Sequence, residues 1–248
     1  MSTTPPTDHR LDAQNLQWQR KPVLRAIYND LYRIMAEACV DGSTLEIGGG
    51  SGNFKSFAPN VISTDILPAP WLDLLADAQR LPIAESRFDN VVLFDVLHHI
   101  QWPMRFLREA ERILKPGGRV VLVEPYISPI SRIFYTWFHP EDVIMSADPM
   151  QEGEIDPELD AFEANQAIPT LLFSRMKAQF EAEIPGLSVL EVRRHSLFAY
   201  PLSGGFRPWS LIPSAIVPTV LALESRVMPL LGRLMAFRMV IILEKQAF

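Results

Sequence analysis

The stretch Thr44-Leu45-Glu46-Ile47-Gly48-Gly49-Gly50-Ser51-Gly52 decides the fold. Its first four residues are short and largely apolar, as a buried strand is, and they run without a break into glycines. Glycines at 48, 50 and 52 let the backbone turn tightly and approach a ligand with no side chain between. That spacing is G-x-G-x-G. The dinucleotide fingerprint G-x-G-x-x-G requires glycine at position 53 in this register, where the chain has Asn53. A nicotinamide cofactor, and an oxidoreductase built on it, is therefore the weaker alternative.

Reading outward from the turn, Val23, Leu24, Ile27, Tyr28, Leu31, Ile34, Met35 and Ala38 recur at helical spacing after a polar leader. They predict one amphipathic helix, ended by Asp41 and Gly42. Downstream, apolar runs at residues 60–64, 71–75, 90–94 and 119–123 read as further strands. Stretches between them read as crossovers, which predicts a parallel sheet. The clearest crossover starts at Pro103, carries Phe106, Leu107, Ala110, Ile113 and Leu114 on one face, and stops at Lys115-Pro116-Gly117-Gly118. Later helices are expected at residues 127–138 and 169–182, and strands at 187–193 and 236–244. Asp65 ends the second strand, seventeen positions after Gly48, where a carboxylate accepts both hydrogen bonds of a ribose diol. Asp77-Ala78 follows the third strand, placed to meet the amine of adenine. Elsewhere in a fold such residues act as caps or solvated loop groups.

A chain of 248 residues supports one sizeable core, and 48% apolar with 21% charged residues argues against disorder. The formal charge of -6, without a basic stripe, speaks against nucleic acid and towards a small molecule. The single cysteine, Cys39, forms no internal disulfide or cluster, and no Cys/His group suggests a metal. The leader MSTTPPTDHR lacks the pattern of a secretory signal, so a cytoplasmic location is the default. Pro229, Gly232, Arg233 and Arg238 interrupt the apolar run of residues 227–243, which argues against a membrane span. Peripheral contact with the inner face of a membrane stays open.

Taken in order, LEIGGGSG, STD, DAQRLP, FDNVVLFDVLHHI and FLREAERILKPGGRVVLVEP resemble the successive motifs of the class I S-adenosylmethionine (SAM) dependent methyltransferases grouped with ubiquinone and menaquinone methylases. The resemblance covers residues 45–125. It implies an α/β, Rossmann-like, doubly wound and mostly parallel seven-stranded sheet, with SAM along the carboxyl ends of the first four strands. Position by position, it assigns Glu46, Gly48, Gly50 and Gly52 to the methionine-side loop, Asp65 to the ribose, Asp77 and Ala78 to adenine, and Phe94 and Asp95 to the methionine end. The chain departs from the family at Asp65 to Trp71, where ILPAP stands in place of a helix and leaves the adenine side more open.

Three histidines, His98, His99 and His139, are the candidate bases nearest the expected pocket, although LHH recurs in the family as a packing or hydrogen-bonding element. Glu124-Pro125-Tyr126 could border the acceptor. Residues 196–235 form an apolar insertion with five prolines, expected as a helical, apolar C-terminal cap that covers the acceptor pocket, meets a membrane, or packs as extra core. Pro213 and Pro218 are expected to prevent one long helix there. The expected organisation is one domain over residues 1–248: a helical segment (1–40), a SAM-binding core (41–125) and acceptor-side segments (126–248). The expected function is methyl transfer from SAM to a small, largely apolar acceptor, at oxygen rather than carbon or nitrogen. A SAM-binding partner or sensor without catalysis is the alternative from another class.

Overall fold

The computed structural model describes residues 7–247, so residues 1–6 of the leader, on which the reading of a missing secretory signal partly rests, lie outside the described residues. Seven strands form one sheet: β1 (Thr44–Ile47), β2 (Ile62–Asp65), β3 (Leu74–Leu75), β4 (Phe88–Phe94), β5 (Leu114–Pro125), β6 (Leu187–His195) and β7 (Arg238–Lys245). Their order is β3-β2-β1-β4-β5-β7-β6, with β7 antiparallel to both its neighbours and the other pairings parallel. This is the doubly wound, mostly parallel sheet that the sequence predicts.

Register explains why the central strands are apolar throughout. Leu45 lies opposite Val91, which lies opposite Val120, and all three point into one core. The alternate residues Val92, Val121, Val240 and Ile242 point into the other. Each face is covered by a helix whose stripe was legible in the sequence. Helix α4 (Pro103–Ile113) buries Phe106, Leu107, Ala110 and Ile113 on the first face. Helix α2 (Pro22–Ala38) buries Leu24, Ile27, Leu31 and Met35 on the second. Burying one such side chain contributes roughly 1.5 to 3 kcal/mol.

Several expectations are corrected. The polar leader contains helix α1 (His9–Arg20), capped by Asp8 accepting from the Arg10 amide at 2.8 Å. Only Leu11 is buried in it, so it shows no apolar stripe. The strand expected at 71–75 shrinks to two residues, because Trp71 is drawn to the glycine turn, where its indole N–H donates to Gly50 O at 2.8 Å. The helix expected at 169–182 is broken: α6 (Ile168–Thr170) widens into a π-type turn (Leu171–Arg175) and restarts as α7 (Lys177–Glu183). Helix α3 (Asn53–Phe57) follows the glycine turn and α5 (Pro129–Phe138) follows β5.

The largest correction concerns the apolar insertion. After a short α8 (Ala199–Ser203) it forms one long helix, α9 (Val217–Met235). Pro213 precedes the helix and Pro218 sits in its first turn, where no backbone N–H is needed, so neither breaks it. Pro229 lies inside α9 and is accommodated.

In the turn itself Gly48, Gly50 and Gly52 all have positive φ, as their spacing implies. A Cβ at Gly52 would stand 2.6 Å from the Trp71 ring, in a left-handed backbone conformation. Gly52→Ala is therefore expected to lower stability by about 1 to 3 kcal/mol, read as a shift of the thermal midpoint. An unchanged midpoint would show that the turn relaxes freely.

Candidate active site

A cleft of about 1010 Å³ runs along the carboxyl ends of β1, β2 and β4 and is walled on its far side by α1, α5 and the 200–211 segment. It brings together most of the residues assigned from the sequence. Glu46, Gly48, Gly50, Asp65, Asp77, Ala78, Phe94 and Asp95 line one half. Gly52 does not reach the wall; it serves as the left-handed N-cap of α3.

Asp65 has a second task that its position alone did not reveal. One carboxylate oxygen accepts from the Gly50 amide and the other from the Leu67 amide, each at 2.8 Å. It thus clamps the glycine turn to the end of β2, while each oxygen keeps a further lone pair for a ligand hydroxyl. Burial raises its pKa, against the pull of those backbone donors. Glu46 is buried and accepts from Ser63 Oγ at 2.5 Å; burial pushes it up to about 7. Asp77 Oδ1 accepts from the Gln79 amide at 2.8 Å, which fixes the loop beside Ala78. Asp95 has φ of 56° and forms an ion pair with Arg238, a side chain only 2% exposed.

This half fits SAM. Only the Gly48 carbonyl oxygen lies within 4 Å of a Cβ built at Gly50, at 3.7 Å, so the turn leaves open the space that a side chain would fill. Half-buried carboxylates at Asp65 and Asp77 offer acceptors to a ribose and an amine.

In the other half the three candidate histidines converge on a residue that no motif singles out. Glu141 lies 3.4 Å from His98 Nε2, 4.0 Å from His99 Nε2 and 3.8 Å from His139 Nδ1. No spacing rule links residue 141 to the LHH segment; the loop after α5 brings it there. Gln166 donates to Glu141 at 2.6 Å and approaches His139 Nδ1 at 3.0 Å. His98 is buried, with Nδ1 2.7 Å from Glu124, whose other oxygen accepts the Val96 and Leu97 amides. Burial alone would lower the His98 pKa, but Glu124 and Glu141 more than offset it and hold it at about 10. Burial and the charge of His98 push His99 down to about 4, and burial also lowers His139. At neutral pH His98 is thus a cation, unable to accept a proton, whereas His99 and His139 are free bases. Burial favours a neutral Glu141, but the bond to His98 and the charge of that ring win and bring it down to about 2. His98, His99 and Glu141 also place ligand-capable atoms within 4.8 Å of one another, an arrangement the His98–Glu141 pairing satisfies without an ion.

Aromatic side chains stand beside the histidines, among prolines and aliphatic residues. Tyr28, Phe134, Tyr135, Tyr200 and Phe206 line this half, with Arg238 stacked 4.4 Å from the Tyr200 ring. None belongs to a motif, because they come from three separate segments, α2, α5 and residues 200–206, all outside the 41–125 core.

The strand order and the glycine turn define a class I SAM-dependent methyltransferase fold. Residues 45–122 match the family described as a methyltransferase domain. The chain is 36% identical over 97 residues to a demethylmenaquinone methyltransferase of Streptomyces griseus, covering 38% of this chain and 40% of that protein. It is 37% identical over 62 residues to a ubiquinone/menaquinone biosynthesis C-methyltransferase of Haemophilus ducreyi, covering 24% of each. A SAM-dependent methyltransferase of Archaeoglobus fulgidus shares the fold, with a TM-score of 0.51 at 13% identity over 89% of this chain and 94% of that one. Residues 45–122 are thus similar to the methyltransferase domain of the ubiquinone and menaquinone methylases, on a fold shared with SAM-dependent methyltransferases, and SAM is the cofactor that this likeness implies. The chain spans less than half the length of these curated relatives.

Asp65→Ala removes a charged acceptor and is expected to weaken SAM binding by roughly 1.5 to 3 kcal/mol in calorimetry, with some loss of stability as the turn is unclamped. Unchanged affinity in the folded variant would remove Asp65 from the site. A second expectation concerns pH. His98 at about 10 lies above its ordinary 6.5, so its contribution to stability is complete below about 6.5 and is lost as pH rises through about 10. Glu141 at about 2 lies below its ordinary 4.5, so its contribution is complete above about 4.5 and is lost as pH falls through about 2. The difference in thermal midpoint between the wild type and His98→Gln should be largest between pH 4.5 and 6.5. A difference independent of pH would refute the charged pair.

Proposed function

We propose that the protein transfers a methyl group from SAM to a hydroxyl of a small, apolar, ring-bearing acceptor, working as one domain over the whole chain. The observation that carries the reading is the pairing, in one cleft, of a cofactor half with an aromatic half that holds two neutral histidines. SAM supplies a methyl group already activated by its sulfonium, so the chain's work is to align the acceptor, exclude water and remove a proton. The aromatic walls contributed by α2, α5 and the 200–206 segment suit the ring faces of such an acceptor. His99 or His139 takes the hydroxyl proton, while the His98 cation and Glu141 hold both rings in place. The names of the quinone-methylating relatives support an apolar ring as acceptor. They favour a second reading for the atom, a ring carbon activated by the neighbouring hydroxyl, which needs the same base.

Incubation of the protein with methyl-labelled SAM and a lipid extract, followed by mass spectrometry, tests acceptor and atom together. A protein that binds SAM and labels nothing across such extracts would be a binding protein or sensor, and the proposal would be wrong. His99→Gln and His139→Gln should leave SAM affinity in place, and the variant lacking the true base should lose about 100- to 10,000-fold in kcat. If His99 is the base, the wild-type rate should stay level on the acid side down to about pH 4. A rate that halves near 6.5 would exclude it.

A further inference from the structure

Two helices leave apolar faces uncovered. On α5, Ile130, Ile133 and Trp137 fall on one stripe, and Trp137 is 75% exposed. Helix α9 packs beside α5 and turns Leu223, Leu230 and Leu234 outward, Leu230 being 83% exposed. Of the nineteen residues of α9 only Val217, Glu224 and Gly232 are buried, the reverse of a core helix. By length and composition the segment Ser214–Met235 could cross a bilayer. It is nevertheless held in the fold: α9 packs on α2 and β6, and buried Glu224 accepts the Phe198 and Ala199 amides.

Charge on these segments has a single sign. Residues 126–140 and 196–235 contain Arg132, Arg207, Arg226 and Arg233, all exposed, and one carboxylate, the buried Glu224. The whole chain carries 29 acidic residues and a net charge of -6, so two segments with four exposed arginines and no exposed carboxylate depart sharply from the rest. Apolar side chains interleaved with arginine match the acyl boundary and the phosphates of an anionic bilayer.

We propose that the α5–α9 face docks the protein on an anionic lipid bilayer, with α9 lying in the interfacial plane. Resting on the reading that the acceptor is apolar, this also assigns the acceptor's source. Phe138, Trp209 and Leu211 are exposed and at the same time line the cleft. Arg207 donates to the Phe138 carbonyl and ties that rim to α5. A bilayer-dissolved acceptor therefore reaches the cleft along apolar side chains without crossing water.

Co-sedimentation of the full chain with vesicles of phosphatidylglycerol and phosphatidylcholine, against phosphatidylcholine alone, tests this. The wild type should pellet with the anionic vesicles and be released by high salt. Arg226→Glu with Arg233→Glu, and separately Trp137→Ser with Leu230→Ser, should weaken vesicle binding about tenfold or more while SAM affinity, measured by calorimetry, is unchanged. These four residues lie outside the cleft wall. Wild type that stays in the supernatant, or variants that pellet as it does, would overturn the proposal. So would a concentration-dependent dimer abolished by the Trp137 and Leu230 changes in a protein that binds no vesicles. Vesicle binding without methyl transfer would instead refute the proposed activity and leave the docking face standing.

Discussion

One buried guanidinium, that of Arg238, holds the two halves of the cleft together. Arg238, at the start of β7, is almost wholly out of solvent, and such a charge is tolerated only when paired and surrounded by acceptors. It pairs with Asp95 at the end of β4, lies 3.3 Å from the Tyr28 hydroxyl on α2, and stacks on the rings of Tyr28, Phe94 and Tyr200. Its backbone is in register with Pro125 of β5. Sheet, N-terminal helix and C-terminal insertion therefore meet at one guanidinium. Removing Asp95 would leave the buried guanidinium without its counter-charge, so the pair helps keep Asp95 in its left-handed conformation at the cleft wall.

The same constraint separates what was legible in the sequence from what was not. The turn at Gly48 to Gly52 and the stripes of α2 and α4 follow local rules, in which spacing alone decides face and conformation. The half of the cleft along the strand ends was readable for that reason: its residues sit a fixed step from their strands. The opposite half, with the histidines and the aromatic side chains, is assembled from distant segments. Glu141 meets His98 across 43 positions, and Arg238 meets Asp95 across 143, and no periodicity encodes either meeting. The insertion was misread for a different reason. Proline was weighed by its presence and not by its place in the helix, and Pro218 in the first turn initiates α9. Within the helical segment expected over residues 1–40, the bounds of α1 were not legible, because a helix that buries one residue leaves no apolar rhythm to find.

The three histidines show how little residue type says about protonation. They share one carboxylate neighbour, yet one ring is a cation and two are neutral. Depth and partner decide: His98 has Glu124 behind it and Glu141 before it, whereas His99 and His139 have burial without a dedicated counter-charge and a cation nearby. One protonated ring thus helps to keep the others basic in form, a division of labour that a lone histidine could not reach.

The shortness of β3 has a consequence for how the molecule behaves in a crowded solution. A parallel sheet ends in rows of unpaired amides and carbonyls that invite strands from other chains. Here one border is only Leu74–Leu75, preceded in the chain by Pro68 and Pro70. The other border, β6, is irregular between Val189 and Glu191 and carries Glu191, Arg193 and Arg194. Neither margin offers a long, flat template, so ribbon-like growth of one copy onto the next is discouraged at both ends, and the sheet stays a private scaffold for the cleft above it.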